Sequence, residues 1–285
     1  MSFPKNIGVI HLLPLPGSPQ TAGKNPVLVV NQAGERAMQE ALILKKAGFD
    51  AIIVENFGDS PFFKSNVPRE TIASFSIILA ALRETIRIPI GVNVLRNDAF
   101  SALALATVVG CEFIRVNVLT GVSVTDQGLI EGQAAELLRE RERLLSTVAI
   151  FADVNVKHAK SLGFEDWETA IEDVLVRAHA DAVIVTGKTT GRAIDLEDLK
   201  TCFEIAQKLK TPLVVGSGAT PENYHEMAQW SDGIIVGSCL REGGRAGAPL
   251  DRARLKKYVT QMKIKPVKKT KSRSKKVTKI NKSKK

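Results

Sequence analysis

Residues 46–55 read KAGFDAIIVE. The glycine after a lysine- and alanine-rich stretch is a helix stop, because it readily takes the left-handed conformation that closes a last turn. An unbroken apolar, β-branched run follows. It is too short for a helix and lacks alternation, the pattern of a strand buried on both faces. Such strands belong to parallel sheets covered by helices. Proline gives the same punctuation in IRIPIGV (86–92) and LKTPLVV (209–215).

Eight such runs occur: IGVIH (7–11), DAIIVEN (50–56), IPIGVNV (88–94), EFIRVNV (112–118), VAIFADVNV (148–156), DAVIVTG (181–187), PLVVGSG (212–218) and DGIIVGS (232–238). Amphipathic helical stretches lie between them, among them 31–48, 132–145 and 196–209. Eight β/α repeats over about 250 residues predict an α/β protein, a single closed (β/α)8 TIM barrel over residues 1–262. The competing doubly wound sheet usually carries GxGxxG after its first strand; that fingerprint is absent here.

The 285 residues carry a net charge of +10, unevenly distributed. Of the 40 Lys and Arg, 12 lie in residues 263–285, which hold no acid. That leaves 28 in residues 1–262 against all 30 acids. The body is near neutral, and the excess belongs to the tail. With two Ile, two Val and no aromatic residue, the tail buries too little apolar surface to offset its ordering entropy, and is read as disordered. It suits an anionic surface such as a membrane, RNA or an acidic protein, or serves only to solubilise. The three cysteines show no CxxC or Cys/His spacing, so neither a zinc site nor a disulfide framework is expected. No apolar run reaches the roughly 20 residues of a membrane span. Strand-like sequence begins at Asn6, which argues against a signal peptide. The expected location is the cytoplasm, with peripheral membrane association through the tail left open.

Active sites of such barrels lie at the C-terminal ends of the strands, where side chains alternate inward and outward. Asp153, Asn155 and Lys157 share one face of the fifth strand, with Val154 and Val156 on the other. Arg115 and Asn117 repeat this on the fourth, and Asn93 on the third. The second strand ends in Glu55 and the first in His11. Polar faces at these ends belong inside, since the outer faces pack on apolar helices. Buried charges must pair, so Glu55–Arg115 and Asp153–Lys157 also have a purely structural reading. The size of the convergent set favours a ligand site.

The second half supplies two glycine turns, Gly216-Ser217-Gly218 and Gly237-Ser238. Loops after the seventh and eighth strands often bind phosphate, aided by a helix N-terminus. Here Thr220 is the expected N-cap and Pro221 the first helical residue. Two long segments, 56–70 and 119–132, exceed the usual βα loop of about 2–6 residues and read as lids or partner surfaces. Asp59, Asp98, Thr125 and Asp126 are polar contacts offered there. In LLPLPGSPQ (12–20), Pro14, Pro16 and Pro19 stiffen the first loop. Leu12, Leu13 and Leu15 suggest a rim over the mouth or against a second subunit of a homo-oligomer.

Six motifs in one order carry a resemblance: GVIHLLPLPGSP (8–19), VENFGDSPFFK (54–64), GVNVLRNDA (91–99), FIRVNVLTGVSVTDQGLIEG (113–132), FADVNVKHA (151–159) and VGSGATPEN (215–223). Together the motifs resemble the BtpA/SgcQ family from about Ile7 to Val259. The resemblance implies a barrel grouped with the ribulose-phosphate-binding barrels. It also implies either a role in photosystem I biogenesis at a membrane periphery, as in the cyanobacterial branch, or sugar metabolism, as in the SgcQ branch. A histidine is expected more often where this chain has Asn155.

Two function classes follow. One is an enzyme on a phosphorylated sugar or nucleotide: a lyase, isomerase or hydrolase. His11 or Lys157 would be its acid/base, Glu55 a second base, and Lys157 alternatively a Schiff-base amine. Asp153 would orient Lys157, and Arg115 would stabilise negative charge. Asn93, Asn117, Asn155 and Asp126 would bind ligand. No cofactor is specified. A divalent metal on Glu55 and Asp153 is an option that the spacing does not identify. The other class is a non-enzymatic assembly or stability factor acting through its tail and loops.

Overall fold

The computed structural model describes residues 3–154, 159–163, 166–187 and 193–264. Asn155, Lys157 and nearly all of the basic tail fall outside them. The eight expected strands form a closed parallel barrel. In chain order these are β1 (Asn6–His11), β2 (Ala51–Glu55), β3 (Ile90–Asn93), β4 (Phe113–Val116), β7 (Ala149–Val154), β9 (Ala182–Val185), β10 (Leu213–Val215) and β11 (Gly233–Val236). β1 pairs in parallel with both β2 and β11, which closes the ring. A helix follows each strand: α1 (Pro26–Ala47), α2 (Arg69–Thr85), α3 (Ala99–Val109), α4 (Ala134–Arg143), α5 (Trp167–Glu172), α6 (Leu196–Lys208), α7 (Tyr224–Gln229) and α8 (Arg252–Lys263). α8 thus runs one residue into the basic 263–285 segment.

Local chemistry sets these boundaries. Asn25 caps α1, its side chain accepting from the amides of Val27 and Leu28 (3.0 and 3.3 Å), with Pro26 at the first helical position. At the other end Gly48 takes φ 95° and donates its N–H to Leu44 and Lys45. The chain then enters β2 through Phe49, which is buried.

Two cores result. Outward residues of the strands pack against the helices as one continuous cluster. Inward residues fill the barrel with Ile7, Val9, Ile53, Phe113, Phe151 and Ile184, among others. Phe113 and Phe151 stack with centroids 4.5 Å apart, and Phe3 stacks on Phe151 from below at 5.4 Å. Gly91 makes room for this plug: a Cβ there would lie 2.1 Å from the Phe113 ring.

A carboxylate device recurs at the N-terminal end. Asp50, Glu112, Asp181 and Asp232 each immediately precede a barrel strand and accept a backbone N–H from the start of the strand before it. The amides are those of Asn6 (2.8 Å), Ile90 (2.8 Å), Ile150 (2.8 Å) and Leu213 (3.0 Å). Each fastens one β/α unit to the next.

Two sequence expectations are corrected. Residues 119–132 are not an irregular loop. β5 (Val122–Thr125) and β6 (Gly128–Glu131) form a hairpin, and β8 (Ala159–Leu162) adds to it antiparallel. The alternation of VSVT and LIE around a Gly turn is hairpin chemistry, and its inner face seats Ile130 on Val118. Nor does Thr220 cap a helix. α7 begins at Tyr224, and Thr220 instead donates its amide to Asn223 Oδ1 (2.7 Å). Pro221 therefore lies in a turn.

Candidate functional site at the barrel mouth

Strand parity delivers the expected polar set. Above Ile7 and Val9 on β1 comes His11; above Ala51 and Ile53 on β2 comes Glu55. Asn93 follows Gly91, Arg115 and Asn117 follow Phe113, and Asp153 follows Phe151. All six polar residues are buried, at 1–6% exposure.

Arg115 is the hub. Its Nε donates to Asp153 Oδ2 (2.8 Å) and its Nη2 to Oδ1 (3.0 Å), a bidentate pair, while Nη1 faces Glu55 Oε1 at 3.5 Å. Asn117 Nδ2 also donates to Asp153 Oδ2 (3.1 Å). Asn93 Nδ2 donates to Arg115 O (2.9 Å) and Asn117 Oδ1 (3.1 Å). Burial alone would weaken the Arg115 charge. The Asp153 carboxylate, its hydrogen bonds and Glu55 outweigh that and hold the guanidinium above its usual range.

His11 sits beside this network, its Nε2 3.9 Å from Glu55 Oε2. Gly247 N–H donates to His11 Nδ1 at 3.3 Å, so the neutral imidazole carries its proton on Nε2, the side facing Glu55. Phe57 lies against the ring, with centroids 4.6 Å apart.

The loop that carries Gly247 is itself anchored. Arg241, fully buried, donates from Nη1 and Nη2 to Glu40 of α1 (3.1 and 2.9 Å), and to the carbonyls of Ala248 (2.6 Å) and Val9 (2.8 Å). Arg36 donates to Glu40 (3.0 Å) and to Gly247 O (2.7 Å). This second ion network lies behind His11 and fixes the amide that orients it. No sequence signal marks it, since Glu40 looks like an ordinary helix-surface acid.

The phosphate-type turns share the cavity. His11, Glu55, Asn93, Arg115 and Asn117 line a space of about 140 Å³ together with Gly216, Ser217, Gly218, Gly237 and Ser238; Gly237 lies beside His11, since β11 neighbours β1. Gly216 must be bare: a Cβ would lie 2.5 Å from Ile184 and 2.6 Å from Thr186. Ser217 Oγ and Asn93 Oδ1 are buried with no hydrogen-bond partner among the described residues. An unsatisfied buried polar atom costs about 1–3 kcal/mol, and both of these residues line the same cavity.

Other expected residues play different parts. Asp153 lies behind Arg115, with its side chain 0% exposed, as the guanidinium's partner. Asp126 is exposed in the hairpin turn, where its carboxylate accepts from Gln127 (2.6 Å). Asp98 caps α3 through Ser101 N (3.0 Å) and accepts from Val67 N (2.8 Å). Asp59 accepts from Leu15 N (2.8 Å). Thr125 closes the hairpin turn by donating to Gly128 O (2.9 Å). Leu12 and Leu15 are no rim: both are buried in the main core. Arg96, passed over in the sequence, lines the cavity and is buried. Its pKa is lowered, by burial first; Arg115 adds to the lowering, while Asp153, Asp126 and Glu55 oppose it. Among the described residues no cluster of three or more His, Cys, Asp or Glu could hold a metal ion, and no helix is long and apolar enough to cross a membrane.

Comparison with known proteins agrees with this architecture. The chain is 46% identical over 268 residues to the photosystem I biogenesis protein BtpA of Synechocystis, covering 93% of this chain and 91% of that one. It is 44% identical over 250 residues to an uncharacterized protein of Pyrococcus furiosus, covering 88% and 91%. Among solved structures, phosphoribosyl anthranilate isomerase from Thermus thermophilus superposes with a TM-score of 0.54 over 90% of this chain and 98% of that one. At 11% identity this likeness concerns the fold alone. The BtpA family model matches residues 4–264, and the chain belongs to the BtpA family.

Proposed function

We propose that the barrel mouth binds a phosphorylated small molecule, a sugar phosphate or nucleotide, and acts on it by acid–base chemistry. The observation that carries this reading is the Ser217 hydroxyl in the Gly216–Gly218 turn, without a partner among the described residues and lining the same cavity as His11, Glu55 and Arg115. Glycine turns can present backbone N–H groups to an anion; Gly216 N–H is taken by Val185 O (2.8 Å), so that part falls to Ser217 and Gly218, and Arg96 and Arg115 add positive charge. His11, with its proton on Nε2 and Glu55 alongside, is the candidate acid/base. Arg115, locked by Asp153, is placed to stabilise developing negative charge. Lyase, isomerase and hydrolase chemistry are all within reach of such a set. Lys157 lies outside the described residues, so no geometry supports its assigned role.

Thermal-shift screening of the full chain against sugar phosphates and nucleotides tests the reading. A ligand at 100 times its Kd stabilises by about 2.7 kcal/mol. Ser217→Asp places a negative charge in the phosphate wall and should abolish the shift. His11→Ala should retain binding and fold but lose turnover. No shift from any phosphorylated compound, with or without Mg²⁺, would sink the proposal.

The name of the Synechocystis relative favours a second reading, an assembly or stability factor whose basic tail engages an anionic membrane, RNA or acidic protein. Removing residues 263–285 separates the two. Loss of surface association with no ligand found supports the factor, whereas unchanged phosphate binding supports the barrel.

A further inference from the structure

A second cavity of about 310 Å³ adjoins the mouth, between the first loop and the 56–68 segment. It is the more apolar of the two. Pro19, Pro61, Phe62, Phe63, Val67 and Leu95 are half of its lining residues, and apolar surface predominates in it. Phe62 and Leu95 also line the polar cavity, so the two share a partition. Hydrogen bonds hold that partition in place. The Asn56 side-chain Oδ1 accepts from Leu95 N (2.7 Å), and Arg96 N donates to Phe63 O (3.0 Å). At the apolar cavity's edge Asp59 takes the Leu15 and Asn56 N–H groups at 2.8 and 3.1 Å, and its carboxylate has lone pairs for further donors.

Preformed sites combine an apolar body with a few polar groups that fix orientation. A bare sugar phosphate would occupy the polar cavity and leave the apolar one unused. A ligand that spans the partition needs an anionic end and a flat apolar end, because proline and phenylalanine faces pack best on planar rings.

We infer that the natural ligand is a nucleotide-like phosphate ester, with its phosphate at the Gly216–Gly218 turn and a planar, N–H-bearing ring in the cavity walled by Phe62 and Phe63. This rests on the phosphate reading above and narrows it from sugar phosphates to ring-bearing ones. Phe63, 55% exposed, is the residue to change, since its removal does not open the core.

Isothermal titration of the full chain with ribose 5-phosphate, the four 5′-nucleoside monophosphates and the corresponding nucleosides tests it. At least one monophosphate should bind about tenfold or more tighter than ribose 5-phosphate, the order expected for one well-packed ring. Phe63→Ala should erase that advantage and leave ribose 5-phosphate binding unchanged, and Phe62→Ala should weaken both. If ribose 5-phosphate matches every nucleotide, or the advantage survives in Phe63→Ala, the ring assignment is overturned while the phosphate site stands. Nucleosides binding as tightly as their monophosphates would keep the ring cavity and overturn the phosphate site. No binding by any of these probes overturns both.

Discussion

The two ends of the barrel use the same residue types in opposite ways. At the N-terminal end Asp50, Glu112, Asp181 and Asp232 each accept a backbone amide, one strand to the next. Each carboxylate is local, partly solvated and separate from the others. At the C-terminal end Glu55 and Asp153 are buried and converge on one guanidinium, and the nearby Asn93 Oδ1 and Ser217 Oγ have no partner among the described residues. A carboxylate that only fastens strands works at the solvent boundary, where desolvation costs little. Carboxylates brought together inside a barrel cost much more, and here one shared guanidinium offsets that cost.

This contrast can be broken by substitution. The largest effect should come from Arg115→Met, which strands two buried carboxylates. The expected loss is about 3–5 kcal/mol, read by urea unfolding. A loss below about 1 kcal/mol would contradict this electrostatic account.

Glu40→Gln comes next. It leaves the fully buried Arg241 without its counter-charge, at about 3 kcal/mol. It should also shift the His11 ring resonances in ¹⁵N spectra, because the loop that presents the Gly247 amide loses its anchor. Unmoved His11 resonances would make the Arg241 network purely structural.

Asp232→Asn at the opposite end keeps an acceptor for Leu213 N and should cost only about 1 kcal/mol, with phosphate affinity unchanged. An affinity loss there would erase the distinction between the ends.

The smallest effect concerns two thiols, Cys111 near the N-terminal end and Cys239 beyond β11. Burial pushes both up to about 12, so neither forms appreciable thiolate at pH 8. A thiol reagent should label neither until urea unfolds the chain. Rapid native labelling of Cys239 alone would reveal a looser mouth.

Periodicity made the eight barrel strands legible, because each is a short apolar run between helix-stop and helix-start chemistry. Parity then put His11, Glu55, Asn93, Arg115, Asn117 and Asp153 at one end, since a strand's side chains have only two directions. The ion network around Arg241 was not legible. Its partners lie on α1 and beyond β11, and no local pattern distinguishes a buried helical glutamate from a solvated one. The hairpin was legible in VSVTDQGLIE but passed over, because length alone suggested a loop. Arg96 escaped notice because it lies beyond the strand, where parity no longer applies.

The Arg241–Glu40 pair joins positions 201 residues apart, and the Gly247 amide reaches His11 across 236. Contacts that distant form only after the intervening chain has been ordered. During synthesis β1, α1 and β2 leave the ribosome long before Arg241 exists. His11 is made 236 residues before Gly247, whose amide orients it. A fragment ending before Gly247 can build strands and helices, but the histidine that faces the mouth would lack its Nδ1 donor. Completion of the mouth is therefore tied to synthesis as far as Gly247.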